Sequence, residues 1–377
     1  MSAPELTAYV TRDGAHRYPV DTPIWRCPET GAPVNLTEGE GLSRGDIDTT
    51  ERSLWRYAAA IRVDKASRVP LGEGCTPLIP MALEGGNVRL KLESLMPSGS
   101  FKDRGMAVLV AYLKAHGISE VMLDSSGNAA GSLACYAGAS GIKCTVLVPA
   151  RTSAAKVAQM RAYGAVVELV EGTRQDVAAK ALKLAEAGVF YASHNWQPFF
   201  IEGTKTLAYE IWEQSGFTVP DNIVIPVGYG SNLLGCRIGF DELKRRGEID
   251  RVPRLFAAQP ANVGALVRAF VANADTPVDF TPQPTIAEGV AAAKLVRTAE
   301  CVAALRDTGG GAVAVAEEKI LPAVRMLASK GALVEPSCAL AATGYDQLVA
   351  DGTISPDQDT VVVMTGNGLK SLDALME

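Results

Sequence analysis

Residues Glu120–Val148 read EVMLDSSGNAAGSLACYAGASGIKCTVLV, and three patterns follow one another within them. EVMLD (Glu120–Asp124) is a short apolar run of the kind that makes a buried strand. SSGNAAG (Ser125–Gly131) is a glycine-bearing turn that leads into a helix of small residues, about Ala129–Gly138. KCTVLV (Lys143–Val148) is again a strand. Strand, helix and strand in this order imply a parallel pair joined by a crossover helix.

The same rhythm continues on both sides. Downstream it predicts a helix over Ser153–Tyr163, a strand over Ala165–Val170, a helix over about Gln175–Ala187 and a strand over Val189–Ser193. It restarts after Glu202 with the strand Asn222–Val227, a glycine loop, a helix to about Arg246 and the strand Arg254–Gln259. A helix over Glu317–Lys330 and a strand over Thr360–Thr365 close the chain, and upstream lie the strand Asn87–Glu93 and the helix Arg104–Ala115. The fold class is therefore α/β, with two open, mostly parallel sheets carrying helices on both faces. Asp275–Thr285, with three prolines, is the best candidate for a long loop.

Composition narrows the function. The 377 residues suggest two domains, and an apolar share of 47% with 21% charged residues is that of a globular protein. A net charge of −6 argues against nucleic-acid or anionic-membrane partners. The seven cysteines are scattered, which reads as free thiols in a reducing compartment. The N-terminus shows no basic region followed by an apolar one, and no stretch reaches the ~20 apolar residues of a membrane span, so a cytoplasmic location is expected. Only His16, His116 and His194 are present, which favours lysine, serine or threonine, or a cofactor, as the working group over histidine triads. The 36 glycines exceed the usual ~7%.

Ligands of open α/β sheets bind where strands end at their carboxyl side, and four turns there carry suggestive residues. PSGSFKDRG (Pro97–Gly105) places Lys102 at a loop-to-helix entry, where orphan N–H groups and the positive helix end lower its proton affinity; a neutral amine is what Schiff-base chemistry needs. An exposed first-turn lysine is the plainer alternative. In SSGNAAG, Asn128 can bond a ring oxygen, while Ser126 and the neighbouring N–H groups, with Ser125 and Gly127, can hold a substrate carboxylate; an ordinary capped turn is the alternative. VGYGSNLLG (Val227–Gly235) can form a phosphate cradle from the N–H groups of Gly228, Tyr229, Gly230, Ser231, Asn232 and Leu233. It lacks both the dinucleotide G-x-G-x-x-G and the Lys-Ser/Thr ending of a P-loop. TGNGLK (Thr365–Lys370) offers the Thr365 hydroxyl to a heterocyclic nitrogen, or is a simple strand-terminal turn. A lysine, a carboxylate loop, a phosphate cradle and a hydroxyl for a ring nitrogen together describe pyridoxal 5′-phosphate.

These motifs, with EPSCA (Glu335–Ala339), SLWRY (Ser53–Tyr57), LGEGCTPL (Leu71–Leu78) and EGTKT (Glu202–Thr206), resemble the threonine synthase-like group of fold-type II, or tryptophan synthase beta-like, pyridoxal-phosphate enzymes. The resemblance runs from about residue 50 to the C-terminus. It implies that Lys102 is the Schiff-base and proton-transferring residue, Asn128 the partner of the cofactor 3′-oxygen, Gly228–Leu233 the phosphate loop and Thr365 the partner of the pyridine nitrogen. It further implies a homodimer with the active site between its lobes. The large domain would comprise residues 1–104 and 198–377, and residues 105–197 would form a small mobile domain.

The likeness breaks where the substrate should be gripped. The family pattern N-S-x-N-P-x-R-x-E-G-x-K-T here reads His194, Asn195, Trp196, Gln197, Pro198, Phe199, Phe200, Ile201, Glu202, Gly203, with Phe200 in the arginine position. The exchange removes a charge-assisted pair worth roughly 1.5 to 3 kcal/mol. Tyr229 likewise replaces an asparagine of the family loop. The implied reaction is conversion of O-phosphohomoserine and water to threonine and phosphate. Alternatives are ammonia-lyase or dehydratase activity on a hydroxy or diamino acid, β-replacement on an activated serine-like substrate, or cofactor binding without catalysis. Only Cys27 stands where relatives carry paired cysteines, so no metal site is expected.

Overall fold

In the computed structural model, which describes residues 7–372 apart from 153 and 173, EVMLD forms the strand Glu120–Leu123 and KCTVLV the strand Lys143–Pro149. They pair in parallel, Glu120 against Lys143 through Leu123 against Val146, and the helix Asn128–Ser140 makes the crossover. Gly141 ends that helix at φ +76°, a left-handed conformation that a residue without Cβ adopts freely.

The chain divides into two compact units: the residues up to Glu73 with Lys102–Thr204, and Gly74–Phe101 with Lys205 onward. The first contains a four-stranded parallel sheet in the order Val166–Val170, Lys143–Pro149, Glu120–Leu123, Phe190–Tyr191. The helices Ala154–Ala162 and Arg174–Glu186 continue the expected alternation; Ser153, expected to open the former, lies outside the described residues. The strand expected over Val189–Ser193 shrinks to Phe190–Tyr191, an edge strand with a single neighbour.

This unit also holds an antiparallel sheet that the periodicity did not reveal, ordered Arg17–Pro19, Ala8–Thr11, Val34–Leu36. Strands of three and four residues are too short to show a period. Tyr9 of this sheet, the loop residues Ile24 and Trp25, and Tyr112 and Arg62 brace the helix Pro198–Thr204 and the segment just before it. Phe199 stacks on Tyr112 at 3.7 Å and meets the edge of Tyr9, and the two tyrosine hydroxyls lie 2.6 Å apart. Gln197 Nε2 donates to the carbonyl of Ile24 at 3.1 Å, Trp25 meets the edges of Tyr191 and Trp196, and Arg62 grips Glu202 through Nε at 2.9 Å and Nη2 at 2.6 Å.

The second unit contains a six-stranded sheet ordered Gly311–Val315, Arg254–Pro260, Asn222–Pro226, Thr360–Val363, Gly86–Lys91, Leu78–Leu83. All neighbours are parallel except the last pair. Lys91 ends its strand inside the protein, and its ammonium is matched by Glu210 at 2.5 Å, the Thr76 carbonyl at 2.7 Å and Gln214 at 2.8 Å. A buried charge is tolerated only with such partners. The helix expected over Glu317–Lys330 begins as a 3-10 turn, Glu317–Lys319, before the α-helix Ile320–Ser329, because Pro322 has no N–H to extend the ladder backwards. Asp275–Thr285 runs without helix or strand. No helix among the described residues is long and apolar enough to cross a membrane.

Candidate active site

Lys102 is the first residue of the helix Lys102–Ala115. Its side chain is partly exposed, and desolvation draws the amine down from 10.5 to about 7. The direction is the one expected at a helix entry, but desolvation, not the helix end, is the cause. Phe200, in the buried helix Pro198–Thr204, sets its ring centroid 5.5 Å from the Lys102 Nζ. His194 meets the same ring at 5.8 Å between centroids.

Two glycines make this approach possible. A Cβ on Gly105 would fall 2.4 Å from the Phe200 ring, and one on Gly203 would fall 2.1 Å from the carbonyl oxygen of Arg104. Next to the lysine, the buried Asp103 accepts a hydrogen bond from Ser132 at 2.5 Å, tying the Lys102 helix to the helix that starts at Asn128. Gly105 belongs to the lysine motif read in the sequence. Ser132 was not singled out in the sequence and Gly203 stood there only within the EGTKT likeness, because the roles of both come from contacts with distant segments.

Ser125, Ser126, Gly127 and Asn128 all lie just beyond the carboxyl end of the strand Glu120–Leu123, partly exposed, and Gly127 N–H donates to the Ser125 hydroxyl at 3.3 Å. Asn195, also partly exposed, keeps its Oδ1 enclosed without a hydrogen-bond partner among the described residues. Gln197, by contrast, spends its amide N–H on Ile24.

In the second unit, the Gly228–Leu233 loop and Thr365 follow two adjacent parallel strands, Asn222–Pro226 and Thr360–Val363, and so reach the same carboxyl edge of the sheet. Gly230 caps the helix Ser231–Arg245 with φ +90°, and a Cβ there would sit 2.2 Å from the Cys301 sulfur. A Cβ on Gly228 would come within 3.2 Å of Val290 Cα. At position 230 only glycine lets the backbone follow this path, while at 228 a side chain would have to press Val290 aside. Asn232, buried in the first turn of the helix, leaves both polar atoms of its amide without a partner among the described residues. Tyr229 is partly exposed and Leu233 fully buried. Thr365 is buried, its carbonyl accepting the N–H of Phe101, the residue that precedes Lys102.

Comparison with known proteins adds four findings. Residues 69–366 match the family model described as pyridoxal-phosphate dependent enzyme. The chain is 34% identical to the threonine synthase of Methanocaldococcus jannaschii over 369 residues, covering 95% of this chain and 91% of that protein. Among solved structures it shares the fold of the processed threonine deaminase isoform 2 of Solanum lycopersicum, with a TM-score of 0.70 at 22% identity over 92% of this chain and 97% of that one. It likewise shares the fold of an L-serine ammonia-lyase from Rhizomucor miehei, with a TM-score of 0.69 at 24% identity over 80% of this chain and 98% of the other.

Proposed function

The chain belongs to the pyridoxal-phosphate dependent enzyme family, and from that premise we propose that it is a threonine synthase-like lyase, which eliminates or replaces a group at Cβ or Cγ of a small amino acid. Its cofactor is pyridoxal 5′-phosphate. The residues present fit that group. Cys301 crowds the loop so closely that position 230 takes only glycine, leaving bare backbone N–H groups at the helix start as donors for a phosphate, and the orphaned amide of Asn232 lies in the same first turn. Lys102 would hold the cofactor, Gly228–Leu233 its phosphate, Asn128 its 3′-oxygen and Thr365 its ring nitrogen. When bound, the cofactor supplies a sink for the negative charge that develops at the substrate Cα.

The observation that carries the proposal is the Lys102 amine, held near neutrality by burial against an apolar ring. An amine of that basicity both accepts and returns protons at Nζ near neutral pH. Ser125, Ser126 and Gly127 would orient the substrate carboxylate, and Asn195 offers its Oδ1 as an acceptor toward the substrate.

The leading reaction is conversion of O-phosphohomoserine and water to threonine and phosphate, as the likeness to the threonine synthase of Methanocaldococcus jannaschii supports. One observation favours a second reading. The phenyl ring of Phe200, with Tyr229 as another large side chain in the phosphate loop, offers no charge to an anionic substrate tail. That favours a less anionic substrate, lost as a hydroxyl, an amine or an activated β-group. Purified holoenzyme assayed for phosphate and threonine from O-phosphohomoserine, beside 2-oxoacid and ammonia from serine, threonine and 2,3-diaminopropionate, separates the two. Efficient turnover of O-phosphohomoserine overturns the second reading, and Lys102→Ala is expected to abolish every activity. A Lys102→Ala variant that keeps full turnover overturns the proposal.

A further inference from the structure

Beyond the strand Thr360–Val363, the Thr365 hydroxyl has one protein neighbour among the described residues, the sulfur of Cys338 at 3.5 Å. Cys338 lies in the first turn of the helix Pro336–Ala350 and is fully buried. Its sulfur accepts the N–H of Gly366 at 3.1 Å and lies 3.3 Å from the carbonyl oxygen of the same residue. Burial pushes the thiol up to about 12, so it keeps its proton. That single proton has two acceptors, the Thr365 hydroxyl and the Gly366 carbonyl, of which the carbonyl is the better.

With the thiol turned to the carbonyl, the Thr365 hydroxyl can donate, among the described residues, only to sulfur. Sulfur is a weak acceptor, and this one already takes the Gly366 N–H. A heterocyclic nitrogen brought against Thr365 is the stronger acceptor, so the hydroxyl turns to it with little lost. An oxygen in place of the sulfur would retain the proton.

We propose that Cys338 is a positioning residue that acts through Thr365: it anchors the Gly366 peptide while leaving the Thr365 hydroxyl proton free to be donated to the ring nitrogen of the cofactor. The inference rests on the reading of Thr365 as the partner of that nitrogen. It makes a sulfur-specific demand at 338, which simple packing would not.

The test uses the holoenzyme without substrate. Cofactor affinity on reconstitution and the pH midpoint of the bound-cofactor absorption band are measured for the wild type, Cys338→Ser, Cys338→Ala and Thr365→Val, and for Cys338→Ser combined with Thr365→Val. Cys338→Ser is expected to weaken cofactor binding about two- to tenfold, the range of one hydrogen bond, and to move the midpoint. Cys338→Ala, which has no competing acceptor, is expected to keep the wild-type midpoint although it melts at a lower temperature for want of a partner to Gly366 N–H. In the Thr365→Val background, Cys338→Ser is expected to change neither quantity. An alanine effect on the midpoint as large as that of serine, or a serine effect that persists without Thr365, overturns the proposal. Failure of the reading beneath it looks different: Thr365→Val alone then leaves affinity and band unchanged, or the wild type develops no band at all.

Discussion

Lys102 and Phe200 show what one contact decides. The amine falls to about 7 through burial, so it is mostly neutral above that pH and mostly charged below it. Only the neutral amine attacks an aldehyde, so the rate at which apoprotein takes up pyridoxal 5′-phosphate is expected to rise as pH passes upward through about 7 and then level off, as stopped-flow absorbance would show. A midpoint near 10, the value of an ordinary lysine, contradicts the desolvated amine. Phe200→Arg places a guanidinium where the ring now lies, 5.5 Å from Nζ. It is expected to lower the KM for phosphorylated substrates by roughly tenfold or more, from the energy of one charge-assisted pair, and to drive the reconstitution midpoint lower by like-charge repulsion. Unaltered KM values would remove Phe200 from the substrate end. The sequence made both residues visible, one by its motif and one by departing from a pattern. That the ring sits against the amine, and that burial sets the basicity, depend on the meeting of two distant helices.

The helices Lys102–Ala115 and Pro198–Thr204 meet through Gly105 and Gly203. Gly203→Ala drives a methyl group into the carbonyl of Arg104, a backbone atom that cannot rotate away, and Gly105→Ala drives one into the Phe200 ring. Overpacking of this kind costs about 1–3 kcal/mol, and thermal denaturation is expected to show the larger loss for Gly203→Ala. Gly105→Ala combined with Phe200→Leu is expected to lose less than the sum of the single variants, because both act on one contact; strict additivity refutes it. Element type was legible along most of the chain, since strands such as Asn222–Pro226 are continuous apolar runs between turns. Element ends were less so. The helix expected from Glu317 tightens to a 3-10 turn ahead of Pro322, and the edge strand at Phe190–Tyr191 is limited by its single pairing partner.

Over the whole molecule, each unit is assembled from two separate stretches of sequence. Gly86–Lys91 lies early in the chain, yet pairs in parallel with Thr360–Val363 near its end. A fragment ending at Thr204 therefore carries this strand without its parallel partner, and without Glu210 and Gln214 around Lys91. Trypsin is expected to cut such a fragment at Arg89 and Lys91 while these sites resist in the full chain, as mass spectrometry of timed digests would reveal. Equal resistance in both would mean that residues 74–101 hold their structure without the C-terminal strands. The three-stranded N-terminal sheet also belongs to this scale. Contacts from its Tyr9, and from Ile24 and Trp25 in the loop between its strands, to the segment around Gln197 and Phe199 give residues before the recognised motifs a part in shaping the Phe200 region.

By itself the sequence determined the alternation of strands and helices, the glycine turns at strand ends, the lysine motif and the family, because periodicity, turn chemistry and motif spacing are local properties of a chain. The tertiary structure alone decided that Phe200 lies near Lys102, that desolvation sets the basicity of that lysine, that Cys338 is the neighbour of Thr365, and that Tyr9, Ile24 and Trp25 brace the segment around Gln197 and Phe199. Burial and proximity between segments far apart in sequence arise only when the core closes, and no local pattern encodes them.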